Sequence, residues 1–258
     1  MHESQLDAAV AAAKAGGYVL VQQFRHLDPA LISEKSKNDH VSEADRTSEN
    51  AIREELAYRF PDYPFIGEEC GATGNGNRCW IVDPLDGTLN FIQGFPHWCV
   101  SVALWDIGGP VVACIYDPLR QDVFTAVRGE GAFWNGEPVT VSQQPGLDGA
   151  FLATGFAYQL GERFPRWLKV LQAVFPRAKG IRRAGSAALD MAHTACGIYD
   201  GFFEMGLKPW DFAGGVLLVR EAGGLVSDWE GGENWFDTGN VVAGNLWVQQ
   251  ELVDATRG

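Results

Sequence analysis

Leu6, Val10, Ala13, Gly17, Leu20, Val21 and Phe24 recur at helical spacing, which predicts a helix from Ser4 to about Phe24 with Ser4 as its N-cap. Gly16-Gly17 inside it should cost stability unless a neighbour packs close there. A polar segment, Ser33 to Asn38, follows. Ala44, Ser48, Ile52 and Leu56 mark the inner face of a second helix, Ser42 to Phe60, which Pro61 ends. Asp45 then falls in its first turn, where the helix dipole favours an acid. Phe65-Ile66-Gly67 reads as a short strand leading to Glu68-Glu69. The Gly/Asn-rich stretch Gly71 to Asn77 reads as a surface loop. Its G-x-G opens no helix and lacks a third glycine, so it is no dinucleotide fingerprint. Cys79-Trp80-Ile81-Val82 reads as a buried strand, which should stop at Asp83 because Pro84 cannot donate to a sheet ladder.

From Trp98 to Val141 strands alternate with turns. Val100–Leu104, Val111–Ile115 and Val123–Val127 are the clearest strands, and Asn135-Gly136 is a tight-hairpin signal, so this region is an antiparallel meander. After Pro145-Gly146 strands alternate with helices. Strands are expected at Ala150–Thr154, Ile181–Arg183, Gly201–Phe203, Leu225–Val226 and Val241–Ala243. Helices are expected at Phe164–Val174, at Ala187–Ala195 capped by Ser186, at Asp211–Ala222 closed by Gly223-Gly224, and at Trp247–Asp254. The chain thus divides into an N-terminal half, 1–145, and a C-terminal α/β half, 146–258, both of a layered kind.

Composition narrows the function. Of 258 residues, 46% are apolar and the formal net charge is −13, so a large core is available and anionic nucleic acid or membrane is repelled. No apolar run approaches a membrane span, and no basic-then-apolar leader opens the chain. Cys70, Cys79, Cys99, Cys114 and Cys196 are odd in number and show no C-x-x-C spacing. Buried thiols in a reduced, cytoplasmic compartment fit best, and no disulfide framework or zinc site is suggested.

The candidate chemistry lies in carboxylates at the ends of buried elements. Asp83 and Asp86 flank a turn that Gly87 permits, and two acids crowded in a partly dry place repel each other unless a cation sits between them. A divalent metal site and an ordinary Asp-Pro-Gly turn both remain open for this stretch alone. Glu68, after a strand, and Asp211, at a helix start, add two more acids in similar settings. Alone, each reads as a solvated loop residue or a helix cap. Together they suit a hard cation such as Mg²⁺.

Gly67-Glu68-Glu69, the run Trp80 to Phe91, and Pro209-Trp210-Asp211-Phe212-Ala213-Gly214-Gly215 resemble the three metal motifs of the inositol monophosphatase family, in the same order. The block Arg182 to Gly224 is similar to the bacterial branch. The resemblance spans nearly the whole chain and implies an α-β-α-β-α sandwich with Mg²⁺-dependent, Li⁺-sensitive hydrolysis of a sugar or polyol phosphate. It implies that Glu68, Asp83, Asp86, Asp211 and the Leu85 carbonyl hold two Mg²⁺ ions, with a third, weaker ion near Glu68. Thr88 and Asp45 would orient the attacking water, Glu68 standing with them at the catalytic centre. The phosphate would meet Asp86, Gly87, Thr88 and Asp211. The alcohol would meet Glu204 and Gly185-Ser186-Ala187, with Arg182 supporting Glu204. The family commonly forms homodimers. Where it has Thr-Ala-Thr-Asp this chain has Ser42-Glu43-Ala44-Asp45, so Glu43 departs from the pattern while the aspartate is kept. A haloacid dehalogenase type phosphatase needs D-x-D, which the Asp83-Pro84-Leu85-Asp86 spacing fails. The alternative substrates are fructose 1,6-bisphosphate, NADP, 3′-phosphoadenosine 5′-phosphate and histidinol phosphate. A phosphatase fold acting mainly as an interaction partner is the non-enzymatic alternative.

Overall fold

The computed structural model describes residues 2–26, 32–36, 39–156 and 161–257. Helix α1 (Glu3–Gln23) and α2 (Glu43–Arg59) lie side by side on one face of an eight-stranded sheet. The two glycines of α1 make that contact possible. A β-carbon at Gly16 would come within 2.7 Å of Ser48 Oγ and the Ile52 side chain, and one at Gly17 within 2.7 Å of the Tyr116 ring. The helix-propensity cost of Gly16-Gly17 is thus offset by close packing. The expected polar segment, 33–38, overlaps the first of two short paired strands, β1 (Ile32–Ser36) and β2 (Asp39–Ser42), while Lys37 and Asn38 lie outside the described residues.

The large sheet contains β3 (Phe65–Gly67), β4 (Gly71–Thr73), β5 (Arg78–Asp86), β6 (Cys99–Asp106), β7 (Gly109–Asp117), β8 (Asp122–Val127), β9 (Gly131–Trp134) and β10 (Glu137–Pro138). Its order is β10-β9-β8-β7-β6-β5-β3-β4, with β6 to β10 forming the expected antiparallel meander and β5 pairing antiparallel with β6. The Asn135-Gly136 hairpin is present, both residues at positive φ (51° and 84°). Two expectations fail here. The stretch 71–77 is not all loop, because β4 pairs with β3. Strand β5 does not stop at Asp83; it runs on through Pro84. Asp83 pairs with Ser101 and Asp86 with Cys99, so three steps on β5 face two on β6. That extra residue is a bulge, where a missing N–H breaks no ladder bond.

The five-stranded sheet has the order β12-β11-β13-β15-β14, from β11 (Phe151–Thr154), β12 (Gly180–Arg182), β13 (Gly201–Glu204), β14 (Leu225–Ser227) and β15 (Val241–Gly244). Strands β12, β11 and β13 run parallel, and β15 runs antiparallel to both of its neighbours, β13 and β14. Helices α5 (Ala187–Ala195) and α6 (Pro209–Glu221) fill the space between the sheets. Both are apolar nearly all round, as expected of helices covered on two sides. Helices α4 (Phe164–Val174) and α8 (Leu246–Arg257) cover the outer face of the small sheet. Two short helices, α3 (Thr88–Ile92) and α7 (Trp235–Thr238), complete the described elements. The layers are helix, sheet, helix, sheet, helix, as the resemblance implied. All five cysteines are free; Cys99 and Cys114 are buried as expected, Cys79 and Cys196 are half-buried, and Cys70 departs from the expectation of buried thiols in being exposed.

Candidate active site

The bulge at the end of β5 decides where the acids point. Asp83 and Asp86 are 2% and 8% exposed, so their carboxylates are held in a largely dry setting. Asp86 is well supplied with donors. Ser186 Oγ donates to Asp86 Oδ2 at 2.6 Å, Ala188 N at 2.7 Å and the Cys99 thiol at 3.8 Å. The two short bonds come from the N-terminal turn of α5, where unpaired N–H groups favour an anion. Asp83 accepts from Leu85 N at 3.0 Å. A hydrogen bond to a charged group contributes about 1.5–3 kcal/mol, whereas burying a carboxylate costs several. Burial pushes the pKa of Asp83 well above the usual carboxylate range, and the charges of Glu68, Asp86 and Asp211 push it further. Burial also raises Asp86, but its donors from α5 oppose the rise. Asp211 is raised well above its ordinary value by burial and then by Asp86, against the donation of Lys208 N to its Oδ2 at 2.6 Å. Asp211 therefore caps its own helix and also feels the acids of the other sheet.

Thr88 stands one residue beyond Gly87, which adopts φ 95°. A β-carbon at Gly87 would crowd the His97 carbonyl at 3.0 Å and the Gly185 carbonyl at 3.3 Å, so the turn is both left-handed and tightly packed. Thr88 Oγ1 lies 3.0 Å from Asp45 Oδ1 and 3.0 Å from the Leu85 carbonyl. Its one proton is committed to these acceptors, which leaves the oxygen free to accept. Asn90 on α3 ties this wall to the other half, its amide donating to the carbonyls of His97 (2.7 Å), Ala184 (2.9 Å) and Gly185 (3.4 Å).

Opposite the acids, Glu204 ends β13 and is 8% exposed. Burial raises its pKa to about 8, the charge of Arg183 lowers it and that of Asp86 raises it. Its carboxylate lies against Gly155, where a β-carbon would overlap it.

The inositol monophosphatase family profile matches residues 1–257. The chain belongs to the inositol monophosphatase family. It is 43% identical over 258 residues to "Nus factor SuhB" of Xylella fastidiosa, covering 98% of this chain and 94% of that one. The crystal structure of extragenic suppressor protein suhB from Bartonella henselae superposes with a TM-score of 0.93 at 40% identity, covering 99% of both chains. The inositol monophosphatase of Anabaena (Nostoc) sp. PCC 7120 superposes with a TM-score of 0.86 at 35% identity, covering 99% of this chain and 96% of that one.

In this family member the donor set fits a hard divalent cation on its chemistry. It offers carboxylates and a carbonyl, all oxygen, and their mutual repulsion is what an ion would relieve. Among the described residues no three His, Cys, Asp or Glu side chains converge into a ready-made cluster, so the fit rests on that donor chemistry.

Two placements depart from the sequence expectation. Arg182 does not serve Glu204; its guanidinium lies over the Phe151 ring, 4.7 Å from the centroid. The cation acting on Glu204 is its neighbour Arg183, which sits just past the end of β12. Ser186 is 1% exposed and gives its hydroxyl to Asp86 rather than to the open side of the site. Asp190 is a further acid that local sequence pattern does not mark. It is 1% exposed on α5, raised well above its ordinary value by burial and then by Glu204 and Asp86. In the sequence it looks like any acid on an amphipathic helix.

Proposed function

We propose that the protein hydrolyses a phosphate monoester with Mg²⁺, taking inositol 1-phosphate or a similar polyol phosphate. The observation that carries this reading is the set of mutually repelling acids, buried Asp83 and Asp86 with half-buried Asp211, with Glu68 acting on two of them. Glu68, Asp83, Asp86, Asp211 and the Leu85 carbonyl would hold two Mg²⁺ ions, with a third near Glu68. When bound, such ions activate water and neutralise the leaving alkoxide of an in-line displacement. The residues of the chain then have distinct tasks. The Thr88 oxygen, its proton committed to Asp45 and Leu85, accepts from a water and fixes its direction. Gly87 and Thr88 present backbone N–H groups to the phosphate. Glu204 accepts from hydroxyls of the alcohol. Neutralising Asp86 would remove one of the charges that raise the Glu204 pKa, so a cation at the acid wall would favour the ionised acceptor. Water attacks directly, with no phosphoenzyme.

The Anabaena structure's name, inositol monophosphatase, supports the polyol phosphate over the nucleotide and bisphosphate alternatives. A panel of phosphate esters assayed with Mg²⁺, with and without Li⁺, tests the reading. Polyol phosphates should turn over best and Li⁺ should inhibit; best turnover of 3′-phosphoadenosine 5′-phosphate, or a trapped phosphoaspartate, would overturn it.

The Xylella relative's name, Nus factor, supports a second role as a partner of the transcription machinery. With a net charge of −13, such a role would run through protein rather than nucleic acid. Capture from native cells, followed by loss of bound transcription proteins under nuclease, would contradict that route. Among the described residues no helix is long and apolar enough to cross a membrane. A cytoplasmic homodimer completes the proposal.

A further inference from the structure

One turn of α2 touches three separate pieces of the acid wall. Asp45, Ser48 and Glu49 lie three and four residues apart, so they share one face of the helix. Asp45 meets the Thr88 hydroxyl at 3.0 Å. Ser48 Oγ donates to the Pro84 carbonyl at 2.9 Å, inside the β5 bulge between Asp83 and Asp86. Glu49 accepts from two successive backbone N–H groups, Glu69 N at 2.9 Å and Cys70 N at 2.8 Å, on the residues that immediately follow Glu68. All three side chains are nearly shut off from solvent: Asp45 1%, Ser48 0% and Glu49 3% exposed.

The environment on both sides is built to this arrangement. Gly16 of α1 leaves the space that the Ser48 hydroxyl and Ile52 occupy, since a β-carbon there would sit 2.7 Å from each. Gly67, just ahead of Glu68, leaves the space for the Glu49 carboxylate, which a β-carbon at 67 would overlap. A carboxylate that takes one N–H on each oxygen fixes the peptide plane between those residues. Buried charge-assisted bonds of this kind hold geometry more firmly than neutral ones. Glu49 is not among the proposed cation ligands; its two oxygens are spent on the loop.

We infer that Glu49 and Ser48 are positioning residues: Glu49 sets the loop that aims Glu68, and Ser48 pins the bulge that separates Asp83 from Asp86. Helix α2 thereby brings the acids of β3 and β5 into one frame. The inference rests on the Mg²⁺ reading of the acid wall and deepens it, because it names the residues that aim the acids.

The test uses Glu49→Gln, which keeps size but turns an NH₂ group toward a backbone donor, and Gly67→Ala, which keeps the charge but displaces it. Amide hydrogen exchange is measured on the metal-free proteins, and Mg²⁺ affinity by calorimetry. Glu69 and Cys70 amides should lose at least tenfold protection in Glu49→Gln, with β5 and β6 unchanged. Mg²⁺ affinity should fall roughly tenfold or more in both variants, and turnover at saturating Mg²⁺ should stay within about threefold of wild type. Ser48→Ala should weaken Mg²⁺ binding by a smaller factor. A purely structural role predicts general loss of protection and a fall in turnover that Mg²⁺ does not restore. That outcome, or unchanged Mg²⁺ affinity in Glu49→Gln while the wild type binds Mg²⁺, overturns the inference. Absence of Mg²⁺ binding by the wild type would sink the metal reading itself, a different result from either.

Discussion

The two walls of the site are both lined by buried carboxylates, yet they are held in opposite ways. On the β5 wall Asp86 takes two short hydrogen bonds from α5, and Asp83 and Asp211 each take a backbone donor. On the β13 wall Glu204 lies against Gly155, balanced only by the charge of Arg183 among the groups that lower its pKa. The first wall gathers like charges in fixed positions, which is how a protein prepares a place for a cation. The second keeps one acid near its titration point, which suits a residue that must meet neutral hydroxyls. The difference teaches that burial alone does not define a role; the donors around each acid do.

Breaking the β5 wall should have the largest effect. Asp83→Asn should reduce Mg²⁺-dependent phosphate release by on the order of 10³-fold, the scale of losing a major electrostatic stabiliser. The same substitution removes a buried like charge, so the metal-free variant should melt above the wild type at pH 8 in a calorimetric scan. A variant that melts lower would show that Asp83 is stabilising on balance and that the repulsion is not the governing term.

The β13 wall should break more gently. Glu204→Gln should lower kcat/KM for inositol 1-phosphate by about 10–100-fold, the worth of one hydrogen bond to a charged acceptor. An aryl phosphate, with no hydroxyls to offer, should change by no more than a few-fold. Equal losses on both substrates would remove the specificity role. Linkage gives a second readout. The folded Glu204 titrates at about 8 against an ordinary value of 4.5. The folded state therefore keeps a proton that the unfolded chain releases, so this stabilising contribution is full below 4.5 and is lost as pH rises through 8. Metal-free wild type should lose up to about 1.4 kcal/mol per pH unit more than Glu204→Gln across that window in denaturant titrations.

The smallest effect separates two adjacent arginines. Arg183→Gln should move the acid limb of the polyol-phosphate pH profile upward by a fraction of a unit, because Glu204 loses a cation and must still be ionised to accept. Arg182→Gln, whose guanidinium lies on Phe151, should leave the profile in place. A shift in Arg182→Gln instead would reverse the assignment.

The sequence shows most of the fold because its strong elements are locally patterned: the meander carries its own turns, and α5 and α6 carry their caps. The acids stand out for the same reason: Glu68, Asp83 and Asp86 follow apolar runs, and Asp211 opens a helix. The β5 bulge is not legible, since Pro84 reads as a stop and only the β6 register reveals that the strand continues. Arg182 and Arg183 differ by one step at a strand end, where one residue changes the direction of the side chain. Ser48 and Glu49 read as the ordinary polar surface of a helix, because nothing local announces that a loop twenty residues on will fold against them.

Phosphate release from inositol 1-phosphate, followed as Mg²⁺ is titrated into metal-free protein, tests the central claim most directly. The account predicts no turnover in the presence of chelator and a saturable rise with Mg²⁺. Turnover that persists unchanged in chelator, or none at any Mg²⁺ concentration by a folded protein, would contradict it.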